Sequence, residues 1–171
     1  MAVNDIIYQM KGNDGAIAYV RKAHIIYSTV LADMIENDGV SEVPVPMATG
    51  VQLDRIFNDF IQHHHNNPTS QPTRAPGIPV GGPVILDEFS KVWCKKLEEE
   101  SDDVLIDYIR VANALDIRLL LDATTQTIAD TLSSLTPEEI RKRYDVPDDF
   151  TPEEKAHIQK EMEWLASVQQ T

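Results

Sequence analysis

Residues 136–154 read Thr-Pro-Glu-Glu-Ile-Arg-Lys-Arg-Tyr-Asp-Val-Pro-Asp-Asp-Phe-Thr-Pro-Glu-Glu, and this stretch contains the tetrapeptide Thr-Pro-Glu-Glu twice. Each copy predicts the start of a helix. The threonine oxygen can accept a hydrogen bond from the amide three residues on, and the glutamate at that position can reach back. Proline stands at the first helical position, where its missing N–H costs nothing. The stretch therefore predicts two short helices separated by an acidic turn.

The large apolar side chains of this tail cannot easily be buried between two such short helices. They either pack on the preceding helical segment, 104–135, or form a surface that receives a helical partner, since exposed aromatic-rich patches mark interaction sites. Periodicity alone leaves both interpretations open. The residues concerned are Tyr144, Val146, Phe150, Ile158, Met162, Trp164 and Leu165.

From Val84 onward strand signals disappear, and apolar spacing predicts three helices, over 86–97, 104–115 and 119–135. Ser101 is the predicted N-cap of the second helix, since a serine oxygen accepts hydrogen bonds from the first free amides of a helix. The second half of the chain is therefore predicted to be entirely helical.

The first half has a mixed pattern. Apolar residues alternate over 6–20 around Gly12-Asn13-Asp14-Gly15, which predicts a β-hairpin. Val43-Pro44-Val45-Pro46 can add only an edge strand, because proline cannot donate to a ladder. Between them a short helix is predicted after Ser28 and is expected to end at Gly39. It is expected to bury Val30, Leu31, Met34 and Ile35.

A longer amphipathic helix is predicted to begin at Thr49, which has capping-box spacing to Gln52, and to end near His63-His64-His65. Residues 66–83 are rich in proline, glycine and small polar residues, which indicates a mobile loop that is dispensable for stability. The predicted organisation has four parts. They are 1–66, a flexible loop at 67–83, helices in 84–135 and a helical tail at 136–171.

Composition limits the function classes. The 171 residues carry 15 basic and 28 acidic side chains, a formal charge of -13, which disfavours nucleic acid and anionic membranes as partners. The single cysteine, Cys94, excludes an internal disulfide and agrees with a reducing compartment. Without a signal-peptide pattern or an apolar run of about 20 residues, we expect a cytoplasmic or nuclear protein.

No residue is nominated for catalysis, and no metal or cofactor is expected. Adjacent histidines on a helix point about 100° apart, so His63, His64 and His65 cannot all face one ion. Cys94 lies in an amphipathic helix pattern without an evident base, and no phosphate-binding glycine motif is present. We therefore expect a protein that is not an enzyme.

The two tail motifs, 136–142 and 148–154, resemble the C-terminal signature of the Skp adaptor family. The resemblance extends through Ala112-Asn113-Ala114-Leu115-Asp116-Ile117 and Leu120-Leu121-Asp122, and through Val45-Pro46 and His63-His64, so it covers nearly the whole chain. It implies an α+β fold: a POZ/BTB-type domain with a C-terminal helical extension that binds F-box proteins. The implied function is an adaptor that bridges an F-box protein to a cullin in a ubiquitin ligase.

The resemblance also implies where the partners bind. The cullin contact falls on Asn113 and Ala114, where family members commonly have an aromatic in place of the alanine. Weakened cullin binding is therefore expected in a divergent paralogue. The alternative is a scaffolding relative that binds F-box proteins, or forms a homodimer, without cullin. The F-box contact falls on Ile106, Leu121, Ile128, Tyr144, Val146, Phe150 and Trp164.

Overall fold

The computed structural model describes residues 6–38, 42–74 and 82–168. The chain divides into two compact units, Met1–Thr131 and Leu132–Thr171. Three sequence predictions fall partly outside the described residues: the extreme N-terminus, the helix break at Gly39, and the middle of the loop.

A three-stranded sheet opens the first unit. Strands β1 (Ile7–Gly12) and β2 (Ile17–Arg21) are antiparallel, with Met10 opposite Ala18, which confirms the predicted hairpin. Strand β3 (Glu42–Val45) runs parallel to β1 and gives the order β2-β1-β3. It therefore lies at the edge, as its proline required.

The hairpin turn approaches the next helix closely. A Cβ atom on Gly12 would lie 2.3 Å from the backbone nitrogen of Gly50, so neither the turn nor the helix start has room for a side chain there. Asp14 Oδ1 accepts a hydrogen bond from Gly50 N at 3.0 Å, and Gly15 adopts a φ of 78°. The glycines thus serve a backbone contact as well as the turn.

Two helices follow the hairpin, α1 (Lys22–Ile25) and α2 (Thr29–Asp38). In α2, Leu31 and Ile35 are buried and Met34 is partly buried, as predicted. The expectation that Val30 is buried was wrong, because its side chain is 36% exposed. Residues 31, 34 and 35 share one helical face, and residue 30 lies about 100° away from residue 31.

The predicted helix at 49–65 is present as one run of three segments, α3 (Gly50–Asp54), a π-helical segment (Arg55–Ile61) and α4 (Gln62–Asn66). Thr49 and Gln52 form the predicted capping box. The apolar residues at helical spacing form the centre of the core. Leu53, Ile56, Phe57, Phe60 and Ile61 are fully buried.

Three longer helices complete the first unit: α5 (Glu88–Glu100), α6 (Asp102–Ala114) and α7 (Arg118–Ser133). Ser101 caps α6 by accepting from Asp103 N at 3.1 Å, as predicted. Helix α5 begins two residues later than predicted, because Asp87 is its N-cap. The prediction of no strand structure beyond 84 needs a correction, since Ile85 forms an isolated antiparallel bridge with Thr73.

The described part of the predicted loop makes hydrogen bonds and an ion pair with other parts of the first unit, and its mobility stays a prediction. His64 Nδ1 donates to the carbonyl oxygen of Ser70 at 2.7 Å. The guanidinium of Arg74 pairs with Asp122 on α7, and both side chains are mostly covered. Composition missed these contacts because they join residues far apart in sequence. Residues 75–81 lie outside the described part.

The second unit contains α8 (Pro137–Tyr144) and α9 (Pro152–Val168), which begin where the tail motifs predicted. The expectation that both are short was wrong for α9, which has 17 residues. Both capping boxes form: Thr136 N donates to Glu139 Oε2 at 2.8 Å, and Thr151 N donates to Glu154 Oε2 at the same distance. Asp145 ends α8 in the left-handed conformation, with a φ of 51°.

Across the described residues, no helix has the length and apolar character needed to cross a membrane.

Candidate partner-binding sites

The turn between α6 and α7 presents the two residues assigned to cullin. Asn113 and Ala114 are exposed at the end of α6, and Leu115 behind them is buried. The turn closes through Ile117 N, which donates to the Ala112 carbonyl at 2.8 Å. Asp116 has a φ of 49°, a left-handed conformation that aspartate tolerates better than most residues.

Two consecutive residues at the start of α2 hold this turn: Ser28, just before the helix, and Thr29, its first residue. The buried Ser28 hydroxyl donates to the Leu115 carbonyl at 2.5 Å and accepts from Leu31 N at 3.2 Å. Next to it, Thr29 Oγ1 donates to Asp116 Oδ2 at 2.5 Å on the exposed side. The backbone conformation of the turn therefore depends on residues 87 positions earlier in the chain.

Three of the residues assigned to F-box binding lie in the first unit. Ile106 is on α6, and Leu121 and Ile128 are seven residues apart on α7, which places them on one face. All three are half-buried. Leu121 and Ile128 also pack against the core. Each therefore offers only part of its apolar surface to a partner.

The other four assigned residues lie in the second unit. Tyr144 is half-buried at the end of α8, whereas Val146, Phe150 and Trp164 are 49%, 44% and 64% exposed. The Phe150 ring lies 5.4 Å from the Arg141 guanidinium carbon, at cation–π distance. Nearby, a hydrogen bond from Lys155 holds the pKa of the Asp148 carboxyl below its usual value. These contacts order the turn between α8 and α9.

Helix α9 adds an apolar stripe that the assigned residues did not include. Ile158, Met162 and Leu165 are all exposed and follow i, i+4, i+7 spacing, so they share one face of the helix. Trp164 lies about 100° from Leu165, beside this stripe. The spacing was visible in the sequence, but the assignment followed position in the family motifs.

One cluster in the first unit resembles a metal site in composition. His63, His64 and Asp87 offer ligand atoms within 4.8 Å of one another. Both His64 nitrogens are already engaged, however, since Nδ1 donates to Ser70 O and Nε2 lies 3.1 Å from Ser90 Oγ. The His63 ring stacks on Phe89 at 3.6 Å. The cluster therefore joins three segments by hydrogen bonds and ring stacking: the 50–66 helix, the loop and α5.

Cys94 is unsuited to nucleophilic chemistry. Its side chain is fully buried, and burial raises the pKa of its thiol to about 12. The thiolate, which is the reactive form, is thus negligible at neutral pH. This agrees with the prediction that Cys94 belongs to the buried face of an amphipathic helix.

Comparison with known proteins identifies the class to which these features belong. A family model described as "Skp1 family, dimerisation domain" matches residues 118–165. SCF ubiquitin ligase complex protein SKP1b of Dictyostelium discoideum is 33% identical over 163 residues, covering 92% of this chain and 94% of that protein. SKP1-like protein 1A of Arabidopsis thaliana is 33% identical over 156 residues, with 91% and 94% covered.

Suppressor of kinetochore protein 1 of Schizosaccharomyces pombe is 32% identical over 138 residues, covering 80% of this chain and 83% of that protein. This chain belongs to the Skp1 family. The resemblance inferred from the tail motifs is thereby confirmed, and identities of about a third agree with a divergent member. The predicted α+β, BTB/POZ-like fold class is likewise confirmed by the small sheet and the surrounding helices.

Proposed function

We propose that this protein is the adaptor subunit of a Skp-cullin-F-box ubiquitin ligase, which bridges an F-box protein to a cullin without contributing catalytic groups. The observation that carries the proposal is the exposed apolar surface of the tail unit, formed by Val146, Phe150, Trp164 and the α9 stripe. Large apolar groups exposed at this density, on α9 and in the turn before it, indicate a protein-binding surface.

The proposed roles of the two sites differ. The tail unit binds the F-box helices mainly through apolar burial. Ile106, Leu121 and Ile128 of the first unit are assigned to the same partner. The α6–α7 turn binds cullin through Asn113, Ala114 and the neighbouring surface. The name of the Dictyostelium discoideum relative SKP1b, an SCF ubiquitin ligase complex protein, supports the proposed adaptor role. We further propose that the protein acts in the cytoplasm or nucleus.

The cullin site can be tested by restoring an aromatic ring at its exposed helix end. Changing Ala114 to Tyr is expected to raise the affinity for a cullin N-terminal domain about tenfold, because the ring recovers roughly 1.4 kcal/mol of apolar contact. Calorimetric titration measures the gain. Val92 to Tyr, at an exposed position of α5, is the matched control and should change nothing.

An unchanged cullin affinity in Ala114→Tyr would mean either that the turn lies outside the interface or that this paralogue has abandoned cullin. The second outcome corresponds to the alternative function, a scaffolding Skp relative that binds F-box proteins or a second copy of itself. The small side chain of Ala114 favours this alternative. Affinity purification of the protein from its own cells, with identification of co-purifying cullin and F-box chains, separates the two functions.

A further inference from the structure

We propose that Thr29 and Asp116 are positioning residues for cullin binding. The hydrogen bond between their side chains holds the Asn113–Ala114 turn in the orientation presented to cullin. This inference rests on the proposed function, because it assigns a supporting contact to the same site.

The geometry of the turn shows why it needs such support. Asp116 is held at a φ of 49°, in the left-handed backbone region, which is unfavourable for a residue other than glycine. The Asp116 amide donates to the Asn113 carbonyl at 3.2 Å, which is a long hydrogen bond. The short contact from Thr29 Oγ1 to Asp116 Oδ2, at 2.5 Å, is the strongest side-chain restraint recorded on this residue in the described structure.

The two consecutive contacts from α2 have separable roles. Ser28 and Leu115 are buried, and Ser28 also satisfies the Leu31 amide, so changing Ser28 would leave two buried backbone groups unpaired. Thr29 and Asp116 form their hydrogen bond on the surface. Changes at Thr29 therefore alter the position of the turn while sparing the core.

The effect on cullin affinity follows from the fraction of molecules in which the turn has its binding conformation. If the turn adopts the binding conformation only part of the time, the apparent affinity falls by that fraction. Losing one charge-assisted hydrogen bond at a strained residue is expected to reduce the population about threefold to tenfold. Thr29 is not among the residues assigned to F-box binding, so F-box affinity is the internal reference.

The experiment measures cullin and F-box affinities of four variants of the full chain. Thr29→Val keeps the shape but removes the hydroxyl, and Thr29→Ser retains the donor. Asp116→Gly removes the carboxylate that accepts the hydrogen bond, and glycine adopts the left-handed backbone conformation without strain. Thr69→Val is the matched control, because it makes the same chemical change at an exposed threonine of the loop.

Thr29→Val and Asp116→Gly are each expected to weaken cullin binding about threefold to tenfold with unchanged F-box affinity. The double variant, Thr29→Val with Asp116→Gly, should bind cullin no more weakly than Asp116→Gly alone, since both changes remove the same interaction. Thr29→Ser and Thr69→Val should bind as the parent does. Wild-type cullin affinity in Thr29→Val, or an equal loss of F-box affinity, overturns the proposal.

A sixth variant, Ala114→Glu, separates this proposal from the proposed function. One outcome is that Ala114→Glu loses cullin binding while Thr29→Val keeps the parent's cullin affinity. This outcome overturns the positioning role of Thr29 and Asp116 and leaves the cullin site intact. Unchanged cullin binding in Ala114→Glu removes the turn from the interface and overturns both.

Discussion

At the scale of single residues, exposure separates the side chains that build this protein from those available to partners. Phe57 and Phe60 are fully buried, whereas Trp164, the larger aromatic, is 64% exposed. Burying an indole ring is worth several kcal/mol, so exposure on this scale in a formed helix is informative. Trp164 is therefore the strongest single candidate for an anchor in F-box binding.

Replacing Trp164 with Ala is expected to weaken F-box binding by about 2 kcal/mol or more, as for other buried interface aromatics. Isothermal titration calorimetry against an F-box domain measures the change. Ile26 to Ala is the matched control, because Ile26 is equally exposed but belongs to the first unit. An unchanged dissociation constant for Trp164→Ala would falsify the assignment of this residue.

The buried His64 leads to a pH prediction. Desolvation by burial lowers the pKa of its imidazole below the ordinary value of 6.5, despite the opposing hydrogen bond to Ser70. The unfolded chain therefore binds a proton at a higher pH than the folded chain. The stability that His64 contributes is present above about pH 6.5 and decreases as the pH falls through 6.5 toward the folded pKa.

Urea unfolding between about pH 7.5 and 5.5 should show this decrease in the free energy of unfolding. His64→Gln is the comparison variant, because it removes the titrating group. Its unfolding free energy is expected to be lower at neutral pH and less dependent on pH over this range. An identical pH dependence in both proteins would contradict the role of His64.

At the scale of elements, local patterns located the strands and most of the helices. They missed the four-residue helix α1 and did not show how the loop is held. The tail motifs predicted α8 and α9 and both capping boxes, since these depend on residues three positions apart. The loop from 66 to 83 has no periodicity and was expected to be dispensable. Its described residues nevertheless bind His64 and Asp122 through Ser70 and Arg74.

Deleting residues 69–76 is now expected to lower the free energy of unfolding by about 2 kcal/mol or more. The deletion leaves His64 Nδ1 without its carbonyl acceptor and Asp122 without its cation, and unpaired buried groups are costly. Thermal or urea unfolding measures the loss. Arg74→Gln should reproduce part of it, and Thr69→Ala should have almost no effect. An unchanged melting temperature in the deletion variant would instead support the expectation that the loop is dispensable for stability.

At the scale of the whole molecule, the two units differ in how far their apolar residues are buried. The first unit buries a contiguous core, and the second has no buried residue among its described positions. The family model that matches 118–165 is described as a dimerisation domain. We propose that the exposed stripe on α9 is a surface for which a second copy and an F-box protein compete.

The free protein is therefore expected to form a dimer in a concentration-dependent way, and binding of an F-box domain should dissociate that dimer. Sedimentation measurements up to about 100 µM protein test this prediction. Met162→Asp should give a monomer, because a carboxylate in an apolar interface is unpaired. Ile26→Asp, at a similarly exposed position of the first unit, should behave as the parent does. A parent protein that is monomeric at every concentration contradicts this prediction.

The sequence by itself determined what depends on near neighbours and on family motifs. Helix caps at Thr49, Ser101, Thr136 and Thr151, the hairpin at 6–20 and the edge position of β3 all follow from residues a few positions apart, where backbone chemistry is decisive. The tail motifs also identified the family. The assignment of F-box residues followed from the same motifs and stays a prediction.

Only the tertiary structure decided which distant residues support one another. The sequence did not indicate that Ser28 and Thr29 hold the α6–α7 turn, because the two elements are separated by 87 residues and a lone hydroxyl carries no pattern. The same holds for Arg74 and Asp122. Hydrophobic periodicity reports which face of an element is buried, but pairing between polar groups depends on how the elements pack, and that is set by the complete core.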